Sequence, residues 1–335
     1  MTAAATRLVI RACSVLVTLA ATIPASAQQI PRATALQRAQ QELAAGRRAE
    51  AKRLLAEAAE RWRSVQAMVV LSRLQSEDGD AAGALDSLRK ARALAPNSED
   101  VLSAFAQMSI ATGAPVPAAV TLEALTRMCP DVMQYHYLLG VALMRIGETL
   151  NAVGALRAAE QLDPNRPLTL LALGIAHNSL QQYGEAKPVL VRALELDPAS
   201  ADTQAALAEA EHGLGELDAA TKHVDQALGK APQHATANLV AGLVAMDRSQ
   251  YAVARASFER AVRTDPLLFK AHYQLSLACA RLGDAAAASQ HLEQYRQALK
   301  GVQKMIDELR SATGPTGRTV VRLSLIHISE PTRRS

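Results

Sequence analysis

Apolar and small residues recur along this chain with the spacing of amphipathic helices, and proline interrupts them at equal intervals. These prolines are Pro96, Pro130, Pro164, Pro198, Pro232 and Pro266. An alanine lies twelve residues before each of them, and an alanine or leucine lies five residues before. Because proline lacks a backbone N–H and disfavours helix in the preceding residue, each one ends a helix and admits the next. A fixed period of about 34 residues predicts a stack of one repeated helical unit.

A glycine near the middle of most units divides the unit into two helices. It lies seventeen residues before the proline in four units, whereas Gln181 and Ser249 take this position in two others. Glycine adopts the left-handed conformation that commonly ends a helix, so we predict two antiparallel helices joined by a tight turn. Gly140, Gly174 and Gly242 lie within the first helix and are expected to let the paired helices approach closely. Bulky residues are expected to fill the remaining space, at Leu88, Leu156, Leu190, Val224, Phe258 and Leu292.

These units resemble tetratricopeptide repeats. The segment 168–198, LTLLALGIAHNSLQQYGEAKPVLVRALELDP, carries the family pattern, and the segment 240–266, VAGLVAMDRSQYAVARASFERAVRTDP, repeats it. The resemblance implies an all-α fold, a right-handed superhelical solenoid of about eight antiparallel helix pairs over residues 32–300. The unit at 99–132 has two prolines in its second helix, so we expect the least regular pair there.

Residues 1–27 have the pattern of a cleaved export signal. Arg7 and Arg11 precede an uncharged apolar run at 12–23, which is shorter than the roughly 20 residues that a membrane-spanning helix needs. The alternative, an uncleaved anchor, fits this short run less well. Cleavage near Ala27 would leave residues 28–31 as a linker and no integral membrane segment in the mature chain. We therefore predict a periplasmic or secreted protein.

After the last repeat, the sequence predicts a capping helix over residues 301–312. Its apolar residues share one face: Val302, Met305, Ile306 and Leu309. This face would cover the apolar end of the array. We expect a flexible tail over 313–322.

Residues 323–335 do not resemble protein, because eleven consecutive residues from position 323 match a translated transposase end and adapter used in sequencing libraries. We interpret this segment as an artefact, so the native chain would continue differently after residue 322.

Composition and charge argue against nucleic-acid binding. Only 3% of the residues are aromatic, while 49% are hydrophobic and many of these are alanine, which suits closely packed helices. The formal net charge is +4, of which the export signal contributes +2 and the last thirteen residues +1, leaving +1 for the rest. No basic stripe with interleaved aromatic residues is present, so we predict no nucleic-acid ligand.

The sequence contains no motif for catalysis or for metal binding. The histidines have no common spacing, and there is no serine elbow, phosphate-binding glycine loop or zinc-protease motif. Cys279 is expected to be a small buried hydrophobe, and Cys129 a loop thiol. We therefore predict that the protein is not an enzyme and that it uses no metal and no cofactor.

The resemblance implies that positions two, five, nine and twelve of each unit face a concave groove. These positions predict a partner-binding groove formed by Tyr137, Val141, Met144, Leu171, Ile175, Asn178, Leu239, Leu243, Met246, Tyr273 and Leu277. Glu209 divides the apolar residues into two stretches. Exposed apolar residues with adaptable methionines are typical of surfaces that dock a peptide or a helix. Alternatively, the same side chains seal the core between repeats.

These features predict an exported, non-catalytic scaffold that binds a protein or peptide partner in its groove, in cell-envelope assembly or secretion. A second hypothesis is that the chain is the N-terminal interaction module of a larger exported enzyme. A third is that it is an accessory to polysaccharide or outer-membrane secretion machinery. No feature of the sequence indicates an oligomeric state.

Overall fold

The computed structural model describes residues 32–313, which form sixteen α-helices and contain no strand. The all-α repeat fold expected from the sequence is confirmed for this part of the chain. The expected export signal and linker lie outside the described residues, as do the expected tail beyond Thr313 and the segment interpreted as adapter-derived.

The helices form eight consecutive pairs, as the repeat pattern predicts. The first helices of the pairs are α1 (Arg32–Ala44), α3 (Val65–Glu77), α5 (Glu99–Ala111), α7 (Met133–Arg145), α9 (Pro167–Ser179), α11 (Ala201–Gly213), α13 (Ala235–Asp247) and α15 (Phe269–Arg281). The second helices are α2 (Arg48–Trp62), α4 (Ala81–Leu94), α6 (Pro115–Met128), α8 (Thr149–Leu162), α10 (Tyr183–Leu196), α12 (Leu217–Lys230), α14 (Tyr251–Thr264) and α16 (Ala285–Thr313). The chain divides into two compact units: unit 1 ends at Met108 and unit 2 begins at Ser109.

The two helices of each pair are joined by a tight turn that contains a residue with positive φ. Glycine takes this position in six pairs, at Gly46, Gly79, Gly113, Gly147, Gly215 and Gly283. Gln181 and Ser249 take it in the other two and adopt the same left-handed conformation, each with φ 57°. The following residue bonds back to the first helix, as when Gln182 donates its N–H to the His177 carbonyl at 2.9 Å. The predicted turn is therefore present even where its residue is unfavourable for this conformation.

Glycines within the first helices allow close packing against the second helix, as the sequence predicts. A Cβ atom at Gly174 would lie 2.4 Å from Cγ of Leu190, and one at Gly242 would lie 2.3 Å from Cε1 of Phe258. These distances are far below van der Waals contact, so no larger residue fits without a shift of the helices. Leu190 and Phe258 are fully buried. Each of these pairs is thus held together by a bulky side chain seated directly against glycine.

The second helix that begins with two prolines is regular in length. α6 begins at Pro115 and has 14 residues, as do α4, α8, α10, α12 and α14. Both Pro115 and Pro117 lie in its first turn, where the backbone N–H groups have no partner within a helix and proline is tolerated. The irregularity expected for residues 99–132 does not appear in this helix.

The expected capping helix is not a separate element. α16 runs without a break from Ala285 to Thr313, over 29 residues. Six of the seven preceding repeats end at a proline, whereas the position one full repeat after Pro266 is Lys300, which has the backbone N–H that proline lacks. Gly301 lowers helix propensity but does not by itself end a helix. The boundary expected at residue 300 therefore falls inside one helix.

In unit 2, the first helices of successive repeats lie side by side. α7 contacts α9, α9 contacts α11, α11 contacts α13, and α13 contacts α15. The second helices instead contact mainly the first helices on either side of them. The first helices thus form one continuous surface of unit 2, which we call the first-helix face. All eleven residues predicted to form the groove lie on these helices.

Candidate functional site

The eleven residues predicted to form the groove differ widely in exposure. Two are exposed, Ile175 and Leu277, each at 37%. Six are half-buried: Tyr137, Val141, Met144, Leu171, Met246 and Tyr273. Three are buried: Asn178 at 4%, Leu239 at 2% and Leu243 at 8%. The predicted stripe is therefore not one uniform surface.

The neighbouring helices α7 and α9 carry a set of accessible apolar residues that we call the open patch. It consists of Tyr137, Val141 and Met144 on α7 and Leu168, Leu171 and Ile175 on α9. Leu168 is the most exposed of them, at 53%. Tyr137 and Met144 also pack against a core cluster that contains Leu156 and Leu173. Their partial burial holds these side chains in place while leaving part of each one accessible.

Two residues of this region are absent from the groove predicted by the sequence. Leu168 occupies position two of its repeat, a position that the family pattern assigns to the groove, so the repeat register alone is enough to find it. Arg166 directly precedes α9, and its guanidinium carbon lies 5.4 Å from the centre of the Tyr137 ring. No repeat position marks Arg166, because a cation placed over an aromatic ring depends on how two repeats are stacked.

The expectation that Leu239 and Leu243 present their side chains to a partner is not met. Both are buried in a core cluster that also contains Phe258 and Leu275. Met246 packs against the same cluster. In this part of the first-helix face, the alternative interpretation holds: the apolar residues seal the core between repeats.

The neighbours of α13 differ from those of α9. On one side α11 comes closer to α13 than α7 comes to α9, and its buried Ala205 packs with Ala237 of α13, whereas on the other side α15 lies farther from α13 than α11 lies from α9. On the other side, α15 carries Lys270 and Tyr273, where α11 carries Asp202 and Ala205 beside α9. Long side chains such as lysine and tyrosine cover apolar surface with their stems and rings. The side chain of Lys270 therefore covers part of α13, because its Nζ reaches Glu209 on the far side of this helix.

An ion pair spans three repeats on the same face. Nζ of Lys270 on α15 lies 2.8 Å from Oε1 of Glu209 on α11, so the pair crosses the intervening helix α13. Burial opposes the charged form of Lys270, but Glu209 and Tyr183 outweigh this effect, and the pKa of Lys270 lies above its ordinary value. Glu209, which divides the apolar sequence into two stretches, is thus engaged within the protein itself.

Asn178 has a structural role in this fold. Its Nδ2 donates to the Ala206 carbonyl on the next first helix at 2.8 Å, and the side chain is buried. A buried amide that bridges two helices contributes to repeat stacking and is not available to a partner. The expectation that Asn178 faces the partner is therefore not met.

The last first helix, α15, retains some accessible apolar surface. Leu277 and Phe269 are exposed. The Tyr273 ring is half-buried and lies 5.3 Å from the ring of Tyr295 on α16. Tyr295 is buried, so this ring contact belongs to the packing between α15 and α16.

Models of one protein family match most of the described repeats. Two models described as tetratricopeptide repeat match the chain, one over residues 179–243 and the other over residues 36–99, 118–167 and 239–301. The chain belongs to the tetratricopeptide-repeat family. Arrays of tetratricopeptide repeats are protein-interaction scaffolds, so proteins are the partners that this membership suggests.

Solved structures of other proteins match this chain, and the first named here resembles it in fold. A tetratricopeptide repeat protein from Parabacteroides merdae matches with a TM-score of 0.57 and 14% identity, over 74% of this chain and 98% of its own. PilF of Pseudomonas aeruginosa matches with a TM-score of 0.49 and 20% identity, over 62% of this chain and 94% of its own. MamA of Desulfovibrio magneticus matches with a TM-score of 0.39 and 21% identity, over 50% of this chain and 96% of its own. No curated protein matches the chain.

The described part of this tetratricopeptide-repeat protein contains no candidate metal centre. Residues 32–313 contain no group of three or more histidine, cysteine or acidic side chains that could hold a metal ion. Histidines of the first-helix face make pairwise contacts with acids, such as His212 to Asp247 at 2.9 Å and His234 to Asp202 at 2.8 Å. No helix among the described residues is both long enough and apolar enough to span a membrane.

Proposed function

We propose that this chain is an exported, non-catalytic scaffold that holds a protein or peptide partner on its open patch and acts in cell-envelope assembly or secretion. Family membership supports a protein partner. The apolar run between basic residues and small residues at the N-terminus supports export to the periplasm or beyond. Because the open patch provides apolar contact area and no reactive group, the proposed role is to position another protein.

The exposure of Leu168 and Ile175 carries the binding part of this proposal. At the equivalent positions two repeats later, the protein has the polar Thr236 and the buried Leu243. The repeat fold therefore tolerates a polar residue at the first of these positions and a buried residue at the second, so exposed apolar residues are not required there for folding. Apolar side chains beside a half-buried tyrosine and methionine form the kind of surface where a few residues supply most of the binding energy.

Crosslinking from inside the patch would test this proposal. A photo-reactive amino acid at Ile175 should form a discrete adduct with one envelope protein in intact cells. The matched control is the same probe at Val191 on α10, which is 36% exposed against 37% for Ile175 but lies on a second helix. Equal adducts from both positions, or no adduct from Ile175, would count against the open patch as the binding surface.

Export requires a separate test. Residues 1–31 fused to a reporter that is active only outside the cytoplasm should give activity, and the mature product should begin at Gln28. A product that keeps Met1 and stays in the cytosol would remove the envelope role from the proposal and leave the binding surface untouched.

A further inference from the structure

Two arginines lie at the two ends of the open patch. Arg166 is held over the Tyr137 ring, and its Nη1 lies 3.7 Å from Sδ of Met133 at the start of α7. Arg145 ends α7, directly after Met144, and its Nη1 contacts the Ile110 carbonyl at 3.4 Å. Tyr137, whose ring lies under the Arg166 guanidinium, and Arg145 are eight residues apart, so their backbone positions lie about 12 Å apart along α7. The apolar residues of α7 lie between them.

Neither arginine is neutralised within the described part of the protein. Among the side chains that the structure describes, no carboxylate forms an ion pair with either of them. The acids that are nearest to them in sequence have other partners. Glu148, three residues after Arg145, accepts from Nδ2 of Asn151 at 2.9 Å. Asp163, three residues before Arg166, accepts from the backbone N–H of Asn165 at 3.3 Å. Both guanidinium groups therefore retain unneutralised positive charge.

Elsewhere on the first-helix face, several charged side chains form ion pairs. On α11, α13 and α15, Glu209 pairs with Lys270, Asp247 with His212, and Asp202 with His234. Each of these three acids has a cationic or ionisable partner on, or directly before, another first helix, whereas Glu211 of α11 pairs with His223 on α12 of its own repeat. At positions two, five, nine and twelve, the α7 and α9 repeats contain no acid, and neither do the α13 and α15 repeats; in the α7 to α15 repeats the acids at these positions are Asp202 and Glu209 of the α11 repeat. Arg281, which ends α15 as Arg145 ends α7, also has no carboxylate partner among the described side chains, so the open patch differs in having two such arginines beside its apolar residues.

We propose that the partner of the open patch is an amphipathic peptide segment in which apolar residues are flanked by aspartate or glutamate. This inference rests on the proposed function and adds the chemistry of the partner to it. The apolar side chains of the segment would cover Leu168, Ile175 and their neighbours. The acids at its two ends would accept hydrogen bonds from Arg145 and Arg166, whose planar guanidinium groups suit carboxylates. A spacing of about 12 Å corresponds to roughly eight residues of helix or four residues of extended chain.

Peptide selection against the purified chain would test the inference. Random dodecapeptides displayed on phage are selected on the wild-type protein and on a variant with both Arg145→Glu and Arg166→Glu. We expect the wild type to enrich apolar peptides that contain aspartate or glutamate, and the reversed variant to enrich lysine or arginine instead. A selected acidic peptide should bind the reversed variant roughly tenfold or more weakly than the wild type. Its affinity for the wild type should also fall as sodium chloride is raised, because salt screens exposed charges.

Two controls separate charge from general effects. The double variant with Arg157→Glu and Arg263→Glu makes the same change in net charge on the exposed surface of second helices, and it should bind the acidic peptide like the wild type. If the variant with Arg145→Glu and Arg166→Glu loses helicity, the variant with Arg145→Gln and Arg166→Gln replaces it in the binding measurements. Ile175→Glu should abolish binding of the selected peptides.

The outcomes distinguish the inference from the function on which it rests. Selected peptides without acidic enrichment that still depend on Ile175 would overturn the acidic partner and leave the binding surface standing. Selected peptides that are indifferent to Ile175→Glu would overturn both. A wild-type chain that sediments as a dimer, and that Ile175→Glu converts to a monomer, would show that a second copy covers the patch, which would also overturn the inference.

Discussion

Two repeats of this array have nearly the same sequence pattern but differ in the solvent exposure of their first helices. In the α9–α10 repeat, Ile175 is exposed, whereas Leu243 at the same position of the α13–α14 repeat is buried. Both repeats have glycine seated against a bulky partner in the second helix and a non-glycine residue in the left-handed turn. The internal construction of the pair is therefore the same, and the difference arises between repeats.

The comparison shows that a position in the repeat does not by itself decide exposure. On the next first helix, Asp202 and Ala205 beside α9 occupy the repeat positions of Lys270 and Tyr273 beside α13. Lys270 reaches across α13 to Glu209, whereas the side chain of Asp202 is too short to cross α9 in this way. The binding surface of such an array is thus determined by the neighbours of a repeat as much as by the repeat itself.

The largest expected effect is a difference in the free energy of unfolding when the same substitution is made at equivalent positions of the two repeats. Leu243→Glu should lower the free energy of unfolding by at least about 3 kcal/mol, because it places an unpaired charge in an apolar cluster. Ile175→Glu should change it by about 0.5 kcal/mol or less, because the new carboxylate stays in water. Urea unfolding followed by far-UV circular dichroism gives both values. Ala186→Glu, at a fully buried site, is the reference for a damaged core. If Ile175→Glu is as damaging as Ala186→Glu, the open patch belongs to the core.

The second prediction concerns what the two repeats share. Gly174→Ala and Gly242→Ala should each destabilise by about 1 to 3 kcal/mol, because the added Cβ would overlap Leu190 or Phe258. The matched control is Gly154→Ala on α8, where a Cβ meets no atom within 4 Å. This change should stabilise the protein by about 0.5 to 1 kcal/mol, as expected for glycine in a helix. A large difference between Gly174→Ala and Gly242→Ala in the same urea measurement would show that the pairs differ internally.

The third prediction concerns the turns of the same repeats. Gln181→Gly and Ser249→Gly should each stabilise by about 0.5 kcal/mol or more, because a non-glycine residue pays a steric penalty at positive φ that exceeds the entropy cost of glycine. Gly147→Ala places alanine in the same conformation, with open space around the Cβ, and should destabilise by about 1 kcal/mol. Thermal melts of the three variants measure this. A loss of stability in either glycine variant would contradict the backbone explanation.

The smallest expected effect concerns the ion pair over α13. Lys270→Met keeps the apolar stem and removes the charge, so stability should fall by about 0.5 kcal/mol or less, as for partly exposed pairs. Lys270→Ala also removes the stem and should additionally make Leu243 more accessible to solvent. Oxidative labelling of Leu243 in the two variants measures this difference. Equal labelling of Leu243 in both would mean that the lysine stem does not cover it.

Much of the fold could be predicted from the sequence, because proline and glycine mark helix ends by their own backbone chemistry. For α16 this reasoning is incomplete: Lys300 stands where six earlier repeats have a proline, but the first repeat also lacks this proline and its second helix still ends at Trp62. The site was less predictable. Position nine is apolar at both Ile175 and Leu243, and its exposure depends on residues one repeat away. Arg166 was not identified because its contact with Tyr137 joins two repeats across their stack.

Hydroxyl-radical footprinting tests the central claim most directly, because it reports the solvent access of individual side chains in the folded protein. We predict that Leu168 and Ile175 are oxidised several times faster than Leu239 and Leu243. An acidic peptide selected on the wild type should then protect Leu168 and Ile175 and leave labelling of the exposed Val191 unchanged. Equal oxidation of the four residues in the free protein would contradict the distinction between an open and a covered part of the first-helix face.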